Sequence, residues 1–376
     1  MKVDGSGSKE PNGTEDAKGS FDGSMMRRAL FHAARGLGRT TPNPMVGAVV
    51  VAPDGVVVTQ GWHRRAGEPH AEAKALEAAG EGARGATLYV NLEPCCHVGR
   101  TGPCTRQIIK SGVTRVVAAM KDPDPRVSGQ GFAELRAHGI AVEEGLLEAE
   151  AERLNRPFIT VKTCGRPFVI LKTATSLDAR VASQAGVRTS LTSTPANRRT
   201  QLLRASVDAI AVGSETLVVD DPLLTSREFQ RVRPLVRVVF DRQVRTPATA
   251  KIFSTLSDGP VIIVTDARPG TARRRRELES VGATILEAEA RHEALRALLK
   301  WDVSTLRVEG GPRLQAAFYQ ARLVDQQHLI VAPVMLGPAA VPWLDESIFT
   351  LASVTRLVAE PRGPDTWIEA DVHGHC

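Results

Sequence analysis

The strongest constraint on the fold is an alternation that the chain runs through twice. From Met45 to Gly145, "MVGAVVVA", "VVVTQGW", "ATLYVNLEP", "RVVAAM" and "IAVEEG" are short, apolar and β-branched. Helical patterns fill the gaps, one from His70, one from Thr105 and one near "FAELRAHG". Short apolar runs alternating with amphipathic helices build an α/β sandwich on a largely parallel sheet. A helix over "SMMRRALFHAARG" precedes this set and stops at Gly36. A second α/β set follows in "FVILKTA", "DAIAVG", "LVRVVFD", "PVIIVTD", "LRVEGG" and "HLIVAPVML". At 376 residues the chain has the length of two average domains. The expected boundaries are a disordered tail over 1–23, a first domain over 24–150 and a second over 166–376. The segment "AEAERLNRPFITVKTCGRP" closes the first set and leads into the second, and no repeat relates the halves.

Several classes are excluded early. No run of eighteen apolar residues exists, so no transmembrane helix is expected. The N-terminus lacks the charged-then-apolar layout of a secretory signal. A net charge of +6 suits anionic ligands, but aromatics at 4% leave few stacking platforms for single strands. Five cysteines, three of them crowded together, do not form a disulfide framework, so a reducing cytoplasm is expected, with Cys164 and Cys376 standing alone. The run Arg273 to Arg276 reads as the solvated start of a surface helix.

The crowded cysteines define a metal site. "HAEAKALEA" begins at His70, and "EPCCHVGRTGPC" carries Cys95, Cys96, His97 and Cys104. A catalytic zinc takes three protein ligands and keeps one corner of its tetrahedron for water. His70 opens a helix, with Glu72 two residues on beside that open corner. Cys95 and Cys104 each follow a proline near the start of the next helix, where backbone N–H groups favour negative sulfur. Cys96 is the weaker second ligand, because adjacent side chains point in divergent directions. The pattern matches the zinc nucleobase-deaminase signature, H-x-E…P-C-x-x-C, except that Cys95 and Cys104 are nine apart rather than three. A structural zinc knot would need a fourth protein ligand and would leave Glu72 without a task. Two thiolates weaken the metal's acidifying effect on water, so Glu72 must shuttle the proton to a departing amine.

In this order, "TTPNPMVGAVVV", "GWHRRAGEPHAEAKAL", "NLEPCCHVGRTGPC" and "DPDPRVSGQG" resemble the bifunctional riboflavin-biosynthesis deaminase–reductase family. "KTATSLDAR", "TQLLRASVDAIAVGSETLVVDDPLLTSR" and "VEGGPRL" extend the resemblance over about residues 24–340, and the stretched cysteine spacing is itself typical of that family. The resemblance implies a cytidine-deaminase-like domain followed by a dihydrofolate-reductase-like domain. The first would deaminate a phosphoribosylated diaminopyrimidinone using zinc; the second would reduce its ribose to ribityl with NADPH. It places Asn43, His63, His97, Arg100, Thr101, Asp122 and Asp124 in the deaminase pocket. Amides and carboxylates suit ring edges, and His63, His97 and Arg100 suit a phosphate. At Asp124 the family commonly has Asn.

In the second half, "LRVEGGPRLQAAF" reads as strand, Gly-Gly and helix, whose first amides suit a cofactor phosphate. The resemblance adds Ala174, Ser190, Thr216, Asp220, Gly311, Pro312, Arg313 and Leu314 as cofactor contacts. Arg188, Arg204, Leu224, Arg227 and Glu309 become substrate contacts, the arginines answering a phosphate. Lys172, on the first strand, is the expected proton donor, with Glu309 beside it in catalysis. Ser190 stands where the family often has Trp, Arg188 replaces a small polar residue, and Arg242 follows Asp241 where Ser is common. No G-x-G-x-x-G or acidic ribose reader is present, so the choice of NADPH comes from the resemblance. A homo-oligomer acting on a small molecule is expected, with no nucleic-acid or membrane partner. One rival is a tRNA base deaminase, disfavoured by the few aromatics and the second α/β domain. Another is a deaminase whose second domain is not catalytic, which NADPH binding distinguishes.

Overall fold

A computed structural model describes residues 20–97, 102–266, 268, 270–344 and 354–372. Arg100, Thr101 and Cys376 lie outside the described residues, as does most of the expected tail. The chain divides into two compact units, Met1–Ile159 and Thr160–Cys376.

The first unit opens with α1 (Phe21–Ala34), three residues ahead of the expected Ser24. Ser20 explains the difference, since its hydroxyl accepts the Gly23 N–H at 3.0 Å and caps the helix. Strands β1 (Gly47–Val51), β2 (Val57–Trp62), β3 (Thr87–Val90), β4 (Arg115–Ala118) and β5 (Ala141–Glu144) form one sheet ordered β2-β1-β3-β4-β5. The β1 pairings are antiparallel, whereas β3–β4 and β4–β5 are parallel. Helices α2 (Ala71–Ala79), α3 (Cys104–Ser111), α4 (Gln130–Ala137) and α5 (Glu148–Cys164) complete the fold. Close backbone approach sets where two of them sit. A Cβ on Gly61 would lie 2.5 Å from Ala71 O, and one on Gly131 only 2.2 Å from Pro94 O. These contacts seat the start of α2, which follows His70, against β2, and the start of α4 against the segment that carries Cys95.

The second unit is built on a nine-stranded sheet. Its strands are β6 (Phe168–Ser176), β8 (Ala209–Gly213), β9 (Val236–Phe240), β10 (Val261–Thr265), β11 (Ala283–Glu287), β12 (Thr305–Val308), β13 (Gln326–Ala332), β15 (Val354–Arg362) and β16 (Asp365–Val372). Their order is β11-β10-β9-β8-β12-β6-β13-β16-β15, parallel from β11 to β13 and antiparallel through the last two. Strands β7 (Arg180–Ala182) and β14 (Val341–Pro342) pair separately. The sheet is buried on both faces, as a parallel sheet requires. Val169, Leu171, Ala209 and Ala211 pack into one cluster, while Phe168, Ile170, Ile210 and Val212 pack into another. Adjacent residues in a strand therefore serve opposite cores. Helices α6 (Thr194–Ser206), α7 (Ser214–Asp220), α8 (Ala272–Ser280), α9 (Arg291–Leu298) and α10 (Pro312–Gln320) cover it. The arginine run lies on α8, where Arg273 pairs with Glu277 and Arg275 with Glu287. Cys164 corrects an expectation: it is disulfide-bonded rather than alone.

Candidate active sites

His70 is the N-cap of α2, and Cys104 is the first residue of α3 after Pro103. His70 Nδ1 lies 3.2 Å from Cys104 Sγ and 3.6 Å from Cys95 Sγ. The three candidate ligand atoms all fall within 4.8 Å of one another. A tetrahedral zinc with Zn–N of about 2.05 Å and Zn–S of about 2.3 Å has an N···S edge of roughly 3.5 Å. The donor set and its spacing fit the ion. Cys95 Sγ also accepts the Cys104 N–H at 3.4 Å, so the start of α3 points a backbone donor at this sulfur. Hydrogen bonding from Cys104, then from His70, draws the Cys95 thiol down to about 4, while the same contact and burial push Cys104 up. Cys96 is half-buried and outside this cluster, and burial raises its thiol.

Glu72 completes the centre. Its carboxyl is buried, its Oε2 has no hydrogen-bond partner, and burial raises its pKa. An unsatisfied buried carboxylate oxygen beside three metal donors is what a proton shuttle awaiting its water presents. Asn43 Nδ2 lies 3.1 Å from His63 Nε2, and His63 Nδ1 lies 3.3 Å from Pro69 O. Asn43 donating to Nε2 puts the ring proton on Nδ1, toward Pro69, and burial lowers the His63 pKa. The His63 and His70 rings meet edge-on at 5.3 Å. His97 is exposed. Asp122 and Asp124 are buried on the loop after β4; Asp124 N–H donates to Asp122 Oδ1 at 2.8 Å, and Arg126 pairs with Asp124.

Glu93 was not singled out in the sequence, and it organises this loop. Its carboxylate is 2% exposed and accepts N–H groups from Asp122, Gly129, Gly131 and Phe132. The residue two before Cys95 thus fixes the Asp122–Asp124 turn and the start of α4. Asn91 and Asn155 act similarly on the other side, bonding the backbones of Met45 and Gly47. The signal for Asn91 and Glu93 was an amide and an acid just past a strand end with no apolar period to explain them; Asn155 lies within α5, where spacing alone did not mark it.

In the second unit, a cavity of about 760 Å³ lies along the carboxyl ends of the parallel strands, the usual ligand position on such sheets. Ala174, Arg188, Thr216, Asp220, Gly311, Pro312, Arg313 and Leu314 line it, with Lys172 and Glu309. A second cavity of about 460 Å³ is lined by Ser190, Asn197, Gln201 and Arg227, and shares Lys172, Ala174 and Arg188 with the first. Lys172 therefore stands where the two cavities meet. Ser190, expected at the cofactor, faces only the second. Leu224 is 3% exposed in the core and lines neither.

The charges around Lys172 are ordered. Desolvation lowers the lysine to about 8, opposed by the negative charge of Glu309. Burial works against ionisation of Glu309, but Arg204 and Arg307 hold its carboxyl well below the usual range. Arg307 is fully buried and donates Nε–H to Glu309 at 2.8 Å. Arg204 is bound to the same carboxylate and lines neither cavity.

Comparisons with known proteins bear on both units. Residues 20–120 match the model of the cytidine and deoxycytidylate deaminase zinc-binding region, and residues 167–362 match that of the RibD C-terminal domain. The riboflavin biosynthesis protein RibD of Aquifex aeolicus is 41% identical over 84% of this chain and 88% of its own. The chain belongs to the RibD family. RibD of Escherichia coli is 40% identical over 90% of this chain and 93% of its own. The structure of Acinetobacter baumannii RibD superposes with a TM-score of 0.84 at 34% identity, covering 94% of this chain and 99% of that one. Like other RibD proteins, the chain joins a deaminase to a reductase for riboflavin biosynthesis, with zinc and NADPH as cofactors. Among the described residues, no helix is long and apolar enough to cross a membrane.

Proposed function

We propose that residues 24–150 deaminate the ring of a phosphoribosylated diaminopyrimidinone and that residues 166–376 then reduce its ribose to a ribityl chain. The observation that carries the first step is the partnerless Oε2 of buried Glu72 beside His70, Cys95 and Cys104. These three side chains would hold zinc, which when bound supplies Lewis acidity to an attacking water. Glu72 takes the water's proton and hands it to the departing amine. A carboxyl raised by burial suits both halves of that transfer, because it holds a proton more readily than an exposed one. Asn43 and the Asp122–Asp124 turn, fixed by Glu93, present hydrogen-bonding groups to the ring edge.

In the second step Lys172 gives its proton to the sugar oxygen. NADPH, when bound in the larger cavity, supplies the hydride. A lysine near 8 is mostly charged at neutral pH yet releases its proton readily. The smaller, polar cavity suits the phosphosugar. Arg188 and Arg227 line it with guanidinium groups that make no hydrogen bond or ion pair among the described residues, which suits a phosphate dianion. Arg204 instead keeps Glu309 ionised. The test is incubation with the diaminopyrimidinone, with and without NADPH, following ammonia and reduced product. Ammonia in both samples and reduced product only with NADPH support the reading; ammonia in neither overturns it.

A further inference from the structure

The larger cavity continues well past Lys172. Strand β9 stands three places from β6 in the sheet, roughly 14 Å away at about 4.8 Å per step. Beyond its end, Arg242 and Arg245 line the cavity, and beyond β11 so do Glu289 and Arg291. A nicotinamide stacked near Lys172, with its pyrophosphate at the Gly310–Gly311 start of α10, brings the adenosine end of the dinucleotide to this place.

The three arginines differ in what already occupies them. Arg245 donates to Ser214 and Glu215, each at 3.1 Å. Arg242 is 63% exposed and, among the described residues, pairs only with Asp266, at 3.2 Å. Arg291 is half-buried and makes no hydrogen bond or ion pair among the described residues. Burial and the positive charge of Arg242 both disfavour its charged form. Two neighbouring guanidinium groups facing one cavity, one of them without an anion, form a site lacking its counter-charge.

Dinucleotide sites separate NADPH from NADH at the adenosine ribose, where an arginine accepts the 2′-phosphate and an acid binds the free hydroxyl. We propose that Arg242 and Arg291 grip a phosphomonoester on the adenosine ribose and set this chain's preference for NADPH over NADH. The proposal rests on the reductase reading and adds to it the residues that choose the cofactor. Glu289, exposed on the same cavity wall, is the group that would act in the opposite sense.

The test is binding rather than turnover. Wild type, Arg242→Gln and Arg291→Gln are titrated with NADPH and NADH without pyrimidine, following nicotinamide fluorescence, with 2′-AMP and 5′-AMP as competitors. Arg242 is exposed, so its variant keeps the fold; melting curves check the other. Each variant should weaken NADPH by about 10- to 100-fold, as loss of a charged hydrogen bond does, and leave NADH unchanged. 2′-AMP should displace NADPH from wild type better than 5′-AMP does. Equal loss of NADPH and NADH, or a wild type that binds NADH as tightly, overturns the proposal and leaves the reductase reading standing. A wild type that binds neither dinucleotide sinks both.

Discussion

The Glu309 carboxylate is gripped by Arg204, with Oε1 3.1 Å from Nε and Oε2 2.5 Å from Nη2. This pairing engages Nε and Nη2 of Arg204, and the positive charges of Arg204 and Arg307 hold Glu309 as an anion near Lys172. Reduction requires the ammonium form of Lys172, so the rate should fall as pH rises through about 8. Glu309→Gln removes the negative charge that supports that ammonium and leaves Arg204 and Arg307 unbalanced. Lys172 then loses its proton more easily, and the alkaline limb should move down by about one to three pH units. The check is NADPH oxidation against pH with deaminated intermediate supplied. A limb that stays near its wild-type position removes Lys172 from the proton-donor role.

Metal content separates the two candidate thiols. Cys104→Ser should lose zinc and ammonia release together, while Cys96→Ser keeps both, because only Cys95 and Cys104 stand with His70. Zinc measured per purified chain decides it. An empty Cys96→Ser protein beside a full Cys104→Ser protein would reverse the assignment.

Glu93 should be costly to change although it reaches no substrate. An amide in place of the carboxylate turns an N–H toward backbone donors and leaves at least one of them unpaired, at about 1–3 kcal/mol. Glu93→Gln should therefore lower the melting temperature of the first unit and slow ammonia release through the displaced Asp122–Asp124 turn. NADPH oxidation with supplied intermediate should continue. An unchanged melting curve and unchanged ammonia release would show that the buried bonds do not hold the turn.

Much of this organisation was legible because burial leaves a pattern. The parallel strands from β6 to β13 read as continuous apolar runs, since both faces are covered. Strand β11, "ATILE", lies at the sheet edge with two half-buried residues and two exposed ones, so its signal is weak. The hairpin of β15 and β16 escaped for the same reason: β15 is largely exposed and carries Arg356, Glu360 and Arg362. The metal donors were readable from residue type and the prolines beside Cys95 and Cys104. Glu93 was not, nor was the pairing of Arg204 with Glu309, because the partners come from segments far along the chain. Glu93 binds residues 122–132, and Arg204 meets Glu309 across 105 positions. Spacing within one segment carries no trace of such pairings.

The central claim is that one chain carries two separate chemistries, one around Glu72 and one around Lys172. Paired half-reaction assays on Glu72→Ala and Lys172→Ala test it most directly. Glu72→Ala should keep its zinc, lose ammonia release by about 10²–10⁴, and still oxidise NADPH when given deaminated intermediate. Lys172→Ala should release ammonia at the wild-type rate and fail to oxidise NADPH. Loss of both activities in either folded variant would mean one shared centre and would contradict the account.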